Sequence, residues 1–132
     1  MEQNELQQRC ERAVANKNSG KYNCAQAVAC AFADVAGMDE AMAYRLTGAF
    51  GSGMGCLEGT CGALVGAGFI LSAMSPDRVT AMRSMKRVMS EFGSKNGATL
   101  CKALKGVGTG VVLRECSGCV ADSAALLGES IS

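Results

Sequence analysis

The chain has no histidine and no tryptophan, a single proline, and only four phenylalanines and two tyrosines. Without histidine there is no His-based acid–base chemistry, no His-containing triad, no mixed Cys/His zinc site and no histidine-ligated haem. With so few aromatics, the core must be built from Ala, Val, Leu and the eight Met. Such side chains suit closely packed helices. The lone proline and scarce β-branched residues, against abundant Ala, Met, Leu and Glu, point the same way. The expectation is an all-α fold: one domain over residues 1–132, with five to six helices in a bundle-like or orthogonal arrangement.

A strong charge of either sign is also missing. The net charge is +1, with acidic and basic residues interleaved, so no phosphate-tracking surface and no nucleic-acid partner is expected. The densest basic group, Arg78, Arg83, Lys86 and Arg87, has no aromatic interleaving and reads as a solvated helix face. The first residues, Met1 to Glu5, lack the charged-then-apolar pattern of a secretory signal. The most apolar run, Cys61 to Met74, has 14 residues, short of the roughly 20 that span a membrane. A cytoplasmic protein with no membrane span is expected.

What the chain has in excess is cysteine, eight in all: 10, 24, 30, 56, 61, 101, 116 and 119. In a reducing compartment such a number points to metal or redox chemistry and not to structural disulfides. Cys116 and Cys119 are spaced CxxC, but Val120 follows, so this is no haem-attachment motif.

Helix signals locate these cysteines. Leu6, Cys10, Ala13 and Val14 form the apolar stripe of a helix from Glu2 to about Asn18, which makes Cys10 structural. Asn23 can cap a second helix, reaching about Ala36, and Gln26 can complete a capping box. Cys24 then lies in a first turn, with Ala25, Val28, Phe32 and Val35 facing inward and Cys30 structural. Asp39 caps a third helix, Glu40 to about Phe50, with Met42, Leu46 and Phe50 as its inward stripe.

The glycine-rich loop Gly51 to Gly55 follows, and Thr60 caps a buried helix reaching Met74 with Cys61 in its first turn. There is no P-loop pattern, which argues against a nucleotide. Gly53 and Gly55 in the loop, and Gly62 and Gly66 on one helix face, would let a cofactor or a second helix approach the backbone closely.

Ser75-Pro76-Asp77 starts a helix reaching about Ser94, with Val79, Met82, Met85, Val88, Met89 and Phe92 on its buried side. Thr99 can cap a short helix, Leu100 to Leu104, placing Cys101 in another first turn. Cys116 and Ser117 precede a last helix, about Gly118 to Leu127. Cys24, Cys61, Cys101 and Cys116 thus stand at or beside helix starts, where unpaired N–H groups and the helix dipole favour thiolate. Converging, they would suit an iron–sulfur cluster or tetrahedral zinc.

From about Tyr22 to Leu127 the chain resembles the putative redox-active proteins called the C-GCAxxG-C-C family. The resemblance rests on Asn23-Cys24-Ala25-Gln26-Ala27-Val28, then Gly51-Ser52-Gly53-Met54-Gly55, then Cys61-Gly62-Ala63-Leu64-Val65-Gly66, with Cys101 and Leu104, and Cys116 with Val120, Asp122 and Ala124. It implies Cys24, Cys61, Cys101 and Cys116 as the functional cysteines. Cys10, Cys30, Cys56 and Cys119 lie outside that pattern, although Cys56 and Cys119 are close enough in sequence to substitute as ligands. A cysteine-bearing helical segment of split-Soret cytochromes is similar, and that looser resemblance implies an iron–sulfur cluster of the [2Fe–2S] kind.

The expected function is electron transfer or redox sensing through a four-cysteine iron–sulfur cluster, with a redox partner protein that the sequence does not name. A metal-free thiol–disulfide protein, structural zinc and a cysteine-rich helical interaction module remain alternatives, and no residue set marks a catalytic step. Gly62, Ala63 and Gly66 form a small-residue face on which a homodimer is expected.

Overall fold

In a computed structural model describing all of residues 1–132, the chain forms seven α-helices and no strand. They are α1 (Gln3–Asn18), α2 (Cys24–Phe32), α3 (Glu40–Leu46), α4 (Gly62–Met74), α5 (Arg78–Asn96), α6 (Cys101–Lys105) and α7 (Cys116–Ile131). A 3-10 turn at Gly48–Phe50 and a π turn at Gly53–Leu57 connect α3 to α4. The all-α expectation holds, with more and shorter helices than the five to six expected.

Helix α2 is the centre. All nine of its residues are buried, and it packs against α1, α3, α4 and α7. Six of those residues are Ala or Cys, so neighbouring backbones come close, and Gly66 of α4 fits against it. A Cβ on Gly66 would lie 2.5 Å from the Ala25 carbonyl oxygen, so only glycine allows this approach. The small-residue face of α4 is therefore consumed inside the fold: Gly62, Ala63 and Gly66 are buried and offer no surface to a second subunit.

The start of α2 is set by the capping box expected from sequence. The Asn23 side chain accepts from the Gln26 N–H, and the Gln26 side chain accepts from the Asn23 N–H, both at 2.9 Å. Its far end is tied down by Arg9 of α1, which donates to the Ala31 carbonyl at 2.9 Å and to both Asp34 oxygens. The same guanidinium lies 5.8 Å from the Phe32 ring centre. The helix stops at Phe32, earlier than the expected Ala36, and the chain continues in turns to Gly37.

Two expected stripes are displaced. Helix α3 ends at Leu46, not Phe50, and turns Ala43 and Thr47 inward while Met42 and Leu46 are exposed. Small residues win this face because α3 lies close to α2, where Gln26 donates to the Tyr44 carbonyl. Helix α5 begins at Arg78, not Pro76, because Asp77 is the residue whose side chain accepts from the Thr80 N–H at 2.8 Å. Only Val88 and Phe92 of α5 are buried, and Val79 and Met82 are exposed; Ala81, Met82 and Met85 line a shallow groove with Val65, Gly68 and Phe69 of α4, so this half of α5 is only partly covered. Helix α7 starts at Cys116 itself and runs past the expected Leu127 to Ile131. No helix is long and apolar enough to cross a membrane.

Candidate metal and redox centre

Each of the four singled-out cysteines stands at a helix start. Cys24, Cys101 and Cys116 are the first residues of α2, α6 and α7, and Cys61 is the N-cap of α4, one position earlier than expected from Thr60. Two of these starts are stitched together directly. The Cys61 N–H donates to the Thr99 carbonyl at 2.8 Å and the Cys101 N–H donates to the Gly59 carbonyl at 3.0 Å. Those bonds flank an antiparallel bridge between Thr60 and Leu100.

The four side chains meet in one narrow pocket, joined there by a fifth, Cys119. Cys119 is three residues after Cys116, one turn along α7 and hence on the same face. That i, i+3 spacing was the sequence signal for it. The space left between the side chains is about 10 Å³, no more than a single water occupies. Four of the five thiols are buried and Cys116 is half-buried.

The thiols influence one another in two pairs, Cys24 with Cys116 and Cys61 with Cys119. Within each pair one sulfur takes the negative character. The neighbouring Cys24 thiol holds Cys116 well below the usual thiol range, against the cost of burial, with Lys105 and Lys17 assisting. The Cys119 thiol does the same for Cys61, again against burial, helped by the Ala63 and Leu64 N–H groups at the α4 N-terminus. Cys24 and Cys119 are pushed up by the negative character of their partners, and burial adds to this. Cys101 is raised by burial, with Lys105 opposing.

Two cations line the pocket, Lys105 and Arg114. Burial acts to lower Lys105, yet the sulfurs of Cys116, Cys101 and Cys24 hold its ammonium above the ordinary value. The Arg114 Nε donates to Asp122 at 3.2 Å, and its carbonyl accepts from the Cys119 thiol at 3.8 Å. Asp122 is buried and also receives Lys95 at 2.8 Å and Asn96 at 3.2 Å, which fixes the start of α7 against the end of α5.

The glycines divide. Gly62 lines the pocket, and a Cβ there would lie 2.8 Å from the Phe50 carbonyl oxygen. Gly53, in the left-handed region at φ +58°, lies where a Cβ would come within 2.7 Å of the Cys101 Cβ, so it makes room for that cysteine. Gly55 faces open space and Gly66 faces α2; neither lines the pocket. Ser52, also left-handed at φ 49°, does line it. Outside the pocket, Cys56 is exposed, with its thiol 3.6 Å from the Gly53 carbonyl. Cys10 is half-buried on α1, and Cys30 is buried with its thiol 3.7 Å from the Glu40 carbonyl.

In this conformation no group of three or more Cys, Asp or Glu side chains surrounds a point that a metal ion could occupy. The donor set nonetheless fits iron–sulfur chemistry, with five sulfurs, two of them tending to thiolate, beside backbone N–H groups and a cation. No curated protein and no solved structure matches the chain significantly. Residues 22–130, which include the pocket, match the family model described as putative redox-active protein (C_GCAxxG_C_C), and the chain belongs to that family.

Proposed function

We propose that the protein carries an iron–sulfur cluster in the cysteine pocket and acts in electron transfer or redox sensing. Cys24, Cys61, Cys101 and Cys116 hold the cluster, with Cys119 as a fifth thiol able to replace a neighbour. The observation that carries this reading is the meeting of five cysteines from four separate elements in one pocket, more sulfur than a single dithiol couple uses. When bound, such a cluster accepts and returns one electron at a time, [2Fe–2S] being the simplest four-cysteine form. The chain's own part is to supply thiolates, to aim the Ala63 and Leu64 N–H groups at Cys61, and to keep water away from the sulfurs. The proposal places the protein in the cytoplasm, where eight cysteines stay reduced.

A second reading draws on the two close thiol pairs. Cys24 with Cys116, or Cys61 with Cys119, would give up two protons and two electrons to a partner's disulfide and form an S–S bond.

Anaerobic purification with visible spectroscopy and iron and sulfide analysis separates the two. The cluster reading expects a coloured protein with iron and sulfide in equal amounts, and loss of both when serine replaces Cys24, Cys61, Cys101 or Cys116. Serine at Cys10 or Cys30 should leave the spectrum unchanged. A colourless, iron-free protein that loses four titratable thiols on mild oxidation would establish the dithiol reading instead.

A further inference from the structure

The two cations lining the cysteine pocket are not equivalent. Arg114 is committed to Asp122, whose other ligands are Lys95 and Asn96, so its charge is largely spent on a buried carboxylate. Lys105 has no carboxylate within ion-pair distance, and no acidic residue lines the pocket. Its position follows from the chain. Lys105 is four residues after Cys101 on the one-turn helix α6, which puts both on the same side. Gly106, left-handed at φ +74°, ends the helix at once. A Cβ on Gly106 would come within 2.6 Å of the Val111 carbonyl, so the following loop folds back tightly and keeps Lys105 facing the sulfurs.

We propose that Lys105 is the built-in counter-ion of the cysteine centre and sets its reduction potential; this rests on the redox reading given above. Reduction adds negative charge to these sulfurs in either chemistry. A cluster takes one electron from its partner, and a disulfide takes two and separates into two thiolates. An ammonium beside the sulfurs stabilises the reduced form in both cases, and because the site is half-buried the effect is weakly screened by salt. Lys102, the neighbouring lysine on α6, is exposed, lies outside the pocket and faces Glu58 at 3.7 Å, so it has no such role.

The test is an anaerobic redox titration of the full chain and its Lys105→Met, Lys105→Arg and Lys102→Met variants. It is followed by visible absorption and, in parallel, by thiol labelling. Lys105→Met should lower the midpoint so that the oxidised-to-reduced ratio at a fixed potential rises about tenfold, or about 59 mV for one electron and about 30 mV for two. Lys105→Arg should recover most of the shift, and Lys102→Met should stay within about threefold of the parent. A midpoint unchanged in Lys105→Met, or lowered equally in Lys102→Met, overturns the inference. If Lys105→Met does not fold, Lys105→Gln carries the same comparison. A colourless parent protein removes the cluster reading alone, because the thiol titration still reads the effect of Lys105.

Discussion

Helices α2 and α5 occupy the same fold under opposite rules. Helix α2 has nine residues, all buried, and is held at both ends by contacts from other parts of the chain. Helix α5 has nineteen residues, of which Val88 and Phe92 alone are buried; one of its ion pairs, Arg87 with Glu91, lies within its own length, and the other ties Lys95 to Asp122 of α7. The cysteines follow the first kind of helix. Cys24 begins α2, and the pocket is completed by α4 and α7, which pack on it, and by Cys101 of the short helix α6. The long helix carries none. Rigid placement of a reactive group here comes from small residues and close backbones, not from a broad amphipathic stripe.

The contrast can be broken most severely at Phe92, the larger of the two buried anchors of α5. Phe92→Ala should destabilise the protein by about 4 kcal/mol, because it empties a fully buried site that α5 has little else to refill. Urea denaturation followed by circular dichroism would report it. Gly66→Val should cost about 3 kcal/mol by forcing α4 away from the Ala25 carbonyl, and should also alter thiol reactivity in the pocket, which the Phe92 change should not. Asn23→Ala removes one half of the capping box and should cost about 1 kcal/mol by the same denaturation measurement.

A smaller effect is expected from acid. Hydrogen bonds from Arg9 lower the Asp34 carboxyl from the ordinary 3.8 to about 2. A carboxylate lowered on folding adds stability above its unfolded value and loses it as pH falls through the folded one. The contribution should therefore fade between about pH 4 and pH 2, modestly because Asp34 is solvent-exposed. Melting temperatures measured across that range should fall less steeply in Asp34→Asn. The smallest effect is assigned to Met82→Ser on the exposed half of α5, within about 0.5 kcal/mol of the parent by urea denaturation. A loss of several times that would mean the exposed stripe is covered after all.

Local signals in the sequence translated well at Asn23 and Asp39, but Thr60 and Thr99 do not cap: Cys61 and Leu100 take those positions without a side-chain cap bond. Asn23 with Gln26, Asp39 and the helix-start cysteines could be read because capping is chemistry within four residues. The inward stripes of α3 and α5 could not, since periodicity gives the apolar side of a helix but not whether a neighbour covers it. Met42, Leu46, Val79 and Met82 have the right spacing and remain exposed. The pocket was legible in four of its five sulfurs. Cys119 follows a helix start without occupying it, and only the turn of α7 brings it round beside Cys61. The pairing of Arg114 with Asp122, which leaves Lys105 as the free cation, needs the fold of the whole chain.

The bridge between Thr60 and Leu100 also bears on the order of assembly. It closes a loop of about forty residues that contains all of α5, and the rest of the pocket comes from as far apart as residues 24 and 119. Contacts of such sequence separation form late, after α2 and α4 have cap and packing enough to persist. A newly made chain therefore carries open, unpaired thiols until almost the whole molecule is in place, and hydrogen exchange at the Cys61 and Cys101 amides should become protected among the last in refolding. The centre is in this sense a checkpoint: the five thiols meet only in a finished fold, and a chain truncated before Cys116 would lack two of them.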